Sequence, residues 1–346
     1  MCLLGDNVDM LKLQMVLAIL TACLGLAVLQ GQSAPSTVLL VLSKGDHTVA
    51  MVDPASLKVL ARMPSGPDPH EIVADADGRL AYISNYGGAG GAYNTISVVD
   101  LVEHRALAPI DLGALRGAHG LDFAGGKVWF TAETNKVIGT YDPASKRVDW
   151  VLGTGQNRTH MVLVSGNLKR IVTSNVSSAT MSIIDRIIRQ GPGGPQDDWD
   201  ETVVPVGKGD EGFDVTPDGK EIWAANAQDG TISVVDAAEK KVVDTLNADV
   251  RSANRLKFTP DGSLVFVSRL NGPEVVILDA RTRHEVKRVK IGRGAAGIQM
   301  QPDGARAYVA CTPDDYVAVI DLKSLEVVGH IDAGRQPDGL AWVVRR

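Results

Sequence analysis

Seven times along the chain, an apolar stretch of alternating character ends in an aspartate. The aspartates are Asp53, Asp100, Asp142, Asp185, Asp236, Asp279 and Asp321. The steps between them are 47, 42, 43, 51, 43 and 42 residues. A period of roughly 40–45 residues, with short strand-like runs inside each unit, is typical of the four-stranded blades of a β-propeller. The repeat therefore predicts an all-β chain with one blade per unit.

Each unit contains the same predicted strands in the same order. An innermost strand follows a Gly-rich turn, and a polar turn such as Pro-Asp-Gly at residues 217–219 leads to the second strand. Proline presets φ for such a turn and glycine supplies the positive φ. The third strand carries the aspartate, which we expect to form the turn after that strand. A more polar outer strand ends the unit. Alternation and β-branched enrichment support strands throughout.

The two ends of the repeat region predict how the ring closes. Residues 37–43 read as a second strand with no first strand before it, and residues 339–344 read as a first strand with no second strand after it. Paired together, they complete one blade and leave no exposed edge. The prediction is therefore a seven-bladed β-propeller whose C-terminal strand pairs with the N-terminal blade. A closed ring has no free edge, so we expect a monomer.

The repeats have the form GxxPxxIxxxPDGxxxYVxNxxxxTVSVID over residues 38–344. This pattern resembles the YVTN-type, or YncE-like, β-propeller family. The resemblance implies a seven-bladed propeller but says little about chemistry, because the repeats of that family are structural. Related seven-bladed propellers include lactonases, so a lactonase-like activity stays open by analogy only.

Composition limits the partners of the chain. Its 346 residues are 45% hydrophobic and 22% charged, as in an ordinary globular protein with room for a large core. The net charge is −6, aromatic residues make up only 5%, and no basic run is interleaved with them. Nucleic-acid binding normally needs such a basic surface, so we predict no nucleic-acid partner.

The first 34 residues read as an export signal. Lys12 supplies a positive start, residues 15–29 are apolar, and residues 32–34 offer a cleavage site before Pro35. We predict a signal over 1–34, a single propeller domain over 35–346, and a periplasmic or secreted location. Cys23 follows Leu-Thr-Ala, as in a bacterial lipobox, so lipidation of Cys23 is the alternative to plain cleavage. That lipid anchor is the one predicted link to a membrane.

The first positions of the seven inner strands are chemically unusual. They are His70, His119, His160, Glu211, Asn254, Ala296 and Asp338. Three of the seven histidines of the chain thus occupy one equivalent position, on successive blades. The ends of the second strands lie beside them on the same face, which predicts Glu133 next to His119. Three imidazoles with a carboxylate could hold one divalent transition metal. A metal-free ligand or acid–base site and a hydrogen-bonded channel lining remain open alternatives. Glu133 and Glu211 are the candidate catalytic bases.

A second pattern lies in the turns that lead to the inner strands. Equivalent or adjacent positions carry Arg116, Arg158, Lys208, Arg251, Arg293 and Arg335. A converging basic ring at the channel mouth would attract an anion, and arginine suits carboxylate or phosphate. Alternatively, each cation pairs with a neighbouring acid. Two longer loops are predicted on opposite faces, at residues 87–93 and 186–201, the first as a mobile flap over the mouth. Asn85 and Tyr86, before this flap, are further ligand-binding candidates.

Three functions follow from these patterns. In the first, the propeller captures a small anionic ligand, or the acidic segment of a partner protein, at its channel mouth. In the second, the same residues form a lactonase-like or metal-assisted hydrolase. In the third, the rim of the ring is a scaffold for protein interactions.

Overall fold

In the computed structural model, residues 37–88 and 90–345 form seven antiparallel sheets. The predicted export signal, with Cys23, lies outside these described residues. Within them, no helix has the length and the apolar character needed to cross a bilayer. The chain is therefore all-β, with a β-propeller fold of seven blades, as the repeat predicts.

Blades 1 to 3 begin the ring. Their strands in chain order are β1 (Thr37–Ser43), β2 (Thr48–Asp53), β3 (Lys58–Pro64), β4 (Pro69–Ala74), β5 (Leu80–Gly88), β6 (Gly91–Asp100), β7 (Arg105–Ala106), β8 (Ile110–Asp111), β9 (Ala118–Ala124), β10 (Lys127–Ala132), β11 (Val137–Asp142) and β12 (Arg147–Gly153). Blade 1 holds β1–β3, blade 2 holds β4–β8 and blade 3 holds β9–β12. A short 3-10 turn follows β10 at Glu133–Asn135.

Blades 4 to 7 complete the ring. Their strands are β13 (Thr159–Val164), β14 (Arg170–Asn175), β15 (Thr180–Gly191), β16 (Gly194–Pro205), β17 (Asp210–Val215), β18 (Glu221–Asn226), β19 (Thr231–Asp236), β20 (Lys241–Asn247), β21 (Ala253–Phe258), β22 (Leu264–Arg269), β23 (Glu274–Asp279), β24 (Glu285–Lys290), β25 (Ala295–Met300), β26 (Arg306–Cys311), β27 (Tyr316–Asp321), β28 (Glu326–Ile331) and β29 (Pro337–Val344). Each group of four from β13 to β28 is one blade. A second 3-10 turn lies at Thr312–Asp314.

The ring closes as predicted. Strand β29 pairs antiparallel with β1, from Thr37 opposite Val344 to Ser43 opposite Pro337. It supplies the inner strand of blade 1, whose order is β29-β1-β2-β3. The first and last strands of the propeller thus share one sheet, in which β1 is paired on both sides, by β29 and by β2.

Glycine and larger residues alternate around the channel at the second inner-strand position. Blades 1, 3, 5 and 7 have Gly339, Gly120, Gly212 and Gly297 there. A Cβ on Gly120 would lie 2.5 Å from the carbonyl oxygen of His160 in the next blade, and one on Gly212 would lie 2.6 Å from the Cα of Arg255. The absence of a Cβ lets neighbouring inner strands approach closely. Blades 2, 4 and 6 instead place Glu71, Met161 and Arg255 against the channel cavity.

Hydroxyl groups on second strands tie each blade to the next. Thr131 Oγ1 accepts the backbone N–H of Gly120 at 2.9 Å and donates to the carbonyl of His160 at 2.7 Å. Ser174 Oγ in the following blade accepts from Met161 at 3.3 Å and donates to the carbonyl of Glu211 at 3.2 Å. These bonds fix the backbone at the first inner-strand position, where the chemically unusual residues lie.

The repeated aspartates mostly form turns, as predicted. After the third strand, a side-chain oxygen accepts backbone N–H groups two or three residues on in six of the seven units, at Asp53, Asp100, Asp142, Asp236, Asp279 and Asp321. Asp185 differs because its strand continues past it. There the carboxylate accepts from Arg170 at 2.6 Å instead.

The longer segment in blade 4 is not a loop. Strands β15 and β16 stay in register from Thr180 opposite Pro205 to Gly191 opposite Gly194. The prediction of a loop over 186–201 was therefore wrong, because alternation continues through these residues and the Gly-Pro-Gly-Gly run makes the tight turn. In blade 2, residues 87–88 and 91–93 also continue a hairpin, with Gly88 opposite Gly91.

Candidate functional site

The three inner-strand histidines lie together at one end of the channel. The ring centroids of His70 and His119 are 5.0 Å apart, and those of His119 and His160 are 3.7 Å apart in a stacked arrangement. Tyr86 meets the edge of His119 at 5.0 Å. Four rings from blades 2, 3 and 4 thus form one polar aromatic cluster, which we call the mouth cluster.

His160 is held between two glutamates. It is buried, with 1% of its surface exposed, and its Nδ1 hydrogen-bonds Glu133. Its Nε2 lies 3.6 Å from Glu211 Oε1. Burial by itself lowers the pKa of His160, but the bond to Glu133 and the neighbouring Glu211 carboxylate together outweigh burial and raise it. The two glutamates thus favour the protonated imidazole.

The two glutamates have further partners. Glu133 accepts from the Tyr86 hydroxyl at 2.5 Å, and Glu211 accepts from Asn254 at 2.7 Å. Burial, followed by the bond to Glu133, raises the pKa of Tyr86 to about 12. Burial would raise the pKa of Glu211, but His160, Arg158 and Asn254 together outweigh burial and lower it. Both glutamates are thus charge-compensated bases within a hydrogen-bonded network.

The partners of the histidines differ from the sequence expectation. Neighbouring strand ends suggested Glu133 beside His119, whereas Glu133 reaches His160 in the next blade. His119 is 3% exposed, and its Nδ1 has no hydrogen-bond partner among the described residues. Burial and the adjacent His160 hold the pKa of His119 well below its ordinary value. The surroundings of His119 therefore favour its neutral form, whereas those of its stacking partner His160 favour the protonated form.

The predicted metal site can be compared with the observed orientation of the three histidine rings. Within residues 37–88 and 90–345, no three histidine, cysteine, aspartate or glutamate side chains are grouped so that they could hold a metal ion. His119 and His160 stack face to face with an interplanar angle of 28°. Metal ligands point their ring nitrogens at a common centre. A site at His70, His119 and His160 would therefore need at least one ring to turn, and it stays a prediction.

Arg158 is the basic residue that reaches the mouth cluster. Its Nε lies 3.7 Å from Glu133 Oε1 and its Nη2 lies 3.7 Å from Glu211 Oε2. Its backbone has a φ of 56°, and 36% of its side chain is exposed. The turn before β13 thus aims a solvent-accessible guanidinium at both glutamates. At these distances its N–H donors are not saturated.

The other basic residues of the predicted funnel have different surroundings. Arg293 pairs with Asp314 and Arg335 with Asp46, both at 2.6 Å, while 73% and 68% of the two arginine side chains are exposed. Arg116 and Arg251 donate to backbone carbonyls. Lys208 is exposed. Within the described residues, Arg158 alone among these six pairs with the carboxylates of the mouth cluster.

Asn85 has a structural role within its blade. It is 1% exposed and donates its amide to Thr95 and Ser97, both at 2.9 Å. Asn175 and Asn226 make the same bonds to a Thr and a Ser in their own blades. This asparagine therefore fastens the second strand to the third in blades 2, 4 and 5, and we leave Asn85 out of the proposed site.

A cavity of about 470 Å³ opens beside the mouth cluster. Its walls include Asp68, His70, Tyr86 and Glu133, together with Gly87, Gly88, Gly91 and Ala92 of the glycine-rich hairpin. Asp68 lies 3.3 Å from His70 Nε2 and accepts the backbone N–H of Gly87 at 3.0 Å. The glycine-rich hairpin therefore forms one wall of an open pocket whose other walls carry acid–base groups.

A second channel feature has no counterpart in the sequence predictions. Arg255 is 6% exposed and pairs with Glu71 across the channel, from blade 6 to blade 2. Arg255 also donates to the carbonyl of Asn254, whose amide binds Glu211. Hydrogen bonds thus run from the mouth cluster to the middle of the channel. The sequence contained one signal for this feature: glycine alternates with Glu71, Met161 and Arg255 at the second position of the inner strands.

Asp210, next to Glu211, makes the stability of the fold depend on pH. One oxygen accepts the N–H of Asn175 at 3.2 Å, and the other is buried with no partner among the residues that the structure describes. Burial raises the pKa of Asp210 to about 7. Because the folded pKa exceeds the unfolded one, the protonated carboxyl stabilises the fold at low pH, and that stability is lost as pH rises through about 7.

We expect the free energy of unfolding to fall by about 2 kcal/mol between pH 5 and pH 8 because of Asp210. The raised pKa of His160 acts in the same direction, so a variant must separate the two. Urea unfolding at both pH values should show a clearly smaller loss in Asp210→Asn. The exposed Asp229→Asn should keep the full loss. Equal pH dependence in Asp210→Asn and the parent would contradict the assignment.

The fold and the site define the class of protein as a seven-bladed β-propeller with an acid–base cluster at one mouth of its channel. No family model matches the sequence, and no curated protein is significantly similar to it.

Several solved structures share the fold. A functionally unknown protein from Desulfotomaculum acetoxidans has a TM-score of 0.70 at 14% identity, with 89% of this chain and 99% of that one covered. Hydrazine synthase from Kuenenia stuttgartiensis has a TM-score of 0.68 at 20% identity, with 82% and 92% covered. A candidate 6-phosphogluconolactonase from Bacteroides fragilis has a TM-score of 0.68 at 15% identity, with 90% and 99% covered. At such identities the similarity shows the propeller fold alone.

Proposed function

We propose that this propeller binds a small, hydroxyl-bearing anion at the mouth cluster. The observation that carries the proposal is Arg158, a partly exposed guanidinium placed 3.7 Å from both Glu133 and Glu211. Its remaining N–H donors suit a carboxylate or phosphate group. The acidic segment of a partner protein would present the same chemistry and is the alternative occupant.

The carboxylates around Arg158 already have hydrogen-bond partners of their own. Glu133 accepts from Tyr86 and bonds His160, and Glu211 accepts from Asn254 and lies near His160. Beside His70, Lys44 pairs with Asp338 at 3.2 Å, and Asp338 lies 3.8 Å from His70 Nδ1. The carboxylates that face the cavity, including Asp68, keep free lone pairs that can accept hydroxyl protons. The expected ligand therefore has an acidic end for Arg158 and hydroxyl groups for the carboxylates.

The test is calorimetric titration with D-gluconate, 6-phosphogluconate and, as the neutral match, D-glucitol. We expect a sugar acid to bind and Arg158→Gln to weaken its affinity about tenfold or more, because hydrogen bonds between charged groups are worth about 1.5–3 kcal/mol. Arg293→Gln is the matched control. Its guanidinium is more exposed and is held by Asp314, so the affinity should change less than about twofold.

The same titration can reject the proposal. Equal affinity in Arg158→Gln and the parent would remove Arg158 from the site. Tighter binding of D-glucitol than of D-gluconate would show that the site does not select an anion. Failure of all three probes would leave an acidic peptide as the remaining anionic occupant, to be titrated in the same way with the same two variants.

A hydrolase of lactone type is the second candidate. The observation that favours it is Glu133, which bonds both the Tyr86 hydroxyl and the buried His160, and so can take and return a proton at a cavity wall. Glu211, on the far side of His160, is the other candidate base. The candidate 6-phosphogluconolactonases among the similar folds suggest aldonolactones as substrates. If the protein hydrolyses an aldonolactone and Glu133→Gln abolishes that turnover, the mouth cluster is an active site.

We also propose that the chain is a YVTN-type propeller that is exported and acts as a monomer. The repeat pattern supports the family, and the layout of residues 1–34 supports export. The paired strands β29 and β1 support a monomer, because they close the ring.

A further inference from the structure

Three of the five tryptophans of the chain meet in one groove far from the mouth cluster. Trp129 lies in β10, Trp150 in β12 and Trp199 in β16. Their ring centroids are 5.5, 5.8 and 6.3 Å apart, and the ring planes are inclined by 54–77°. Trp129 is buried, whereas Trp150 and Trp199 are partly exposed. We call this group the tryptophan groove.

The groove lies at the opposite end of the blades from the mouth cluster. Trp129 is near the start of β10, beside the turn from β9, whereas Glu133 follows the end of the same strand. One wall is formed by the extended β15–β16 hairpin, which carries Trp199. The enclosed volume is about 450 Å³, within the range of small-molecule sites. The long hairpin, unexplained by the proposed function, therefore completes a second cavity.

The polar rim of the groove is electrically compensated. Lys127 pairs with Asp149, Arg186 with Asp197 at 2.6 Å, and Arg189 with Asp198. Asp149 also accepts from Thr140 at 2.6 Å. Each cation has an acid beside it, so the rim offers donors and acceptors without a strong net field. Such a rim suits a neutral ligand with many hydrogen-bonding groups better than an ion.

The indole groups have unused donors. Trp129 donates its N–H to the carbonyl of Ala124 at 3.0 Å. Within residues 37–88 and 90–345, the indole N–H groups of Trp150 and Trp199 have no protein acceptor. Partly exposed tryptophans combine a large apolar face with a polar edge that usually finds a partner. Here two such faces and two such edges border the same cavity.

We propose that the tryptophan groove binds a pyranose unit of a neutral carbohydrate. A pyranose ring has an apolar face of C–H groups that stacks on an indole, and its equatorial hydroxyls reach sideways to the rim. Asp149 and Asp197 would accept hydroxyl protons, and Arg186 and the free indole N–H groups would donate. The inclined planes of Trp150 and Trp199 allow one sugar to stack on one ring while its edge meets the other.

The test is a titration followed by intrinsic tryptophan fluorescence, with cellotetraose, maltotetraose, chitotetraose and mannotetraose as probes. Acyclic D-glucitol, which has hydroxyls but no ring face, is the control ligand. We expect saturable quenching or a blue shift with at least one tetrasaccharide and none with D-glucitol. Trp150→Ala and Trp199→Ala should each weaken that binding tenfold or more. Trp342→Phe, in the channel, should leave it unchanged.

Two further measurements guard against unfolding as the explanation. Trp150→Phe keeps an aromatic face and should retain binding within about fivefold, and circular dichroism melting should show that each variant folds. Arg158→Gln should leave sugar binding intact, so the groove and the proposed mouth function can fail separately. Absence of saturable binding to all four tetrasaccharides, or unchanged affinity in folded Trp150→Ala and Trp199→Ala, would overturn the proposal.

Discussion

Arg255→Met is expected to lower the free energy of unfolding by about 4 kcal/mol. Arg255 is 6% exposed and pairs with Glu71 across the channel. Removing the cation leaves the Glu71 carboxylate, whose side chain is only 15% exposed, without its charged partner in the channel. Breaking one side of a buried ion pair typically costs about 3–5 kcal/mol, far more than a surface pair is worth. Urea unfolding at pH 7 measures the loss.

Two variants separate this effect from ordinary loss of packing. Arg293→Met removes an arginine that is paired but 73% exposed, and it should change stability by less than about 1 kcal/mol. The double variant Glu71→Gln/Arg255→Met removes both charges and should recover a large part of the loss. A single Arg255→Met variant as stable as the parent would mean that the pair does not hold the ring together.

Gly212→Ala is expected to destabilise the propeller by about 3 kcal/mol, although it adds only one methyl group. A Cβ at this position would lie 2.6 Å from the Cα of Arg255 and 2.7 Å from the carbonyl oxygen of Asn254. Both obstacles are backbone atoms of the next inner strand, which its own sheet holds in place. The clash can be relieved only by moving one blade against another. Thermal and urea unfolding should both report the loss.

The control is Gly153→Ala. Gly153 ends the outer strand β12, and a Cβ there would meet nothing within 4 Å. Alanine at such a position should be neutral or slightly stabilising, because it restricts the unfolded chain. If both variants lost the same stability, glycine would be required at Gly212 for some reason other than close approach of the strands.

These two predictions bear on the mouth as well as on stability. Arg255 donates to the carbonyl of Asn254, and Asn254 donates to Glu211 in the mouth cluster. Gly212 directly follows Glu211 in the same strand. The residues that close the middle of the channel therefore also set the position of one candidate base, and variants at either place should be examined for ligand binding after their folding has been verified.

The sequence by itself determined the architecture. The 42-residue period, the Pro-Asp-Gly turns and the two incomplete terminal units predicted seven blades and the pairing of β29 with β1. These features are local, or repeat at a fixed spacing, and strand alternation and turn chemistry act over a few residues. For the same reason, the aspartate turn was predicted wherever the third strand ends at the aspartate. It failed at Asp185, where the strand continues.

Only the tertiary structure decided how the site is connected. Sequence alignment of the blades placed Glu133 near His119, but inter-blade geometry brings it to His160. Six basic positions looked equivalent, yet Arg293 and Arg335 pair with nearby acids while Arg158 reaches Glu133 and Glu211. The pairing of Glu71 with Arg255 joins residues 184 positions apart. Such contacts depend on the rotation between blades and on side-chain reach, and neither quantity is encoded in the spacing of the repeats.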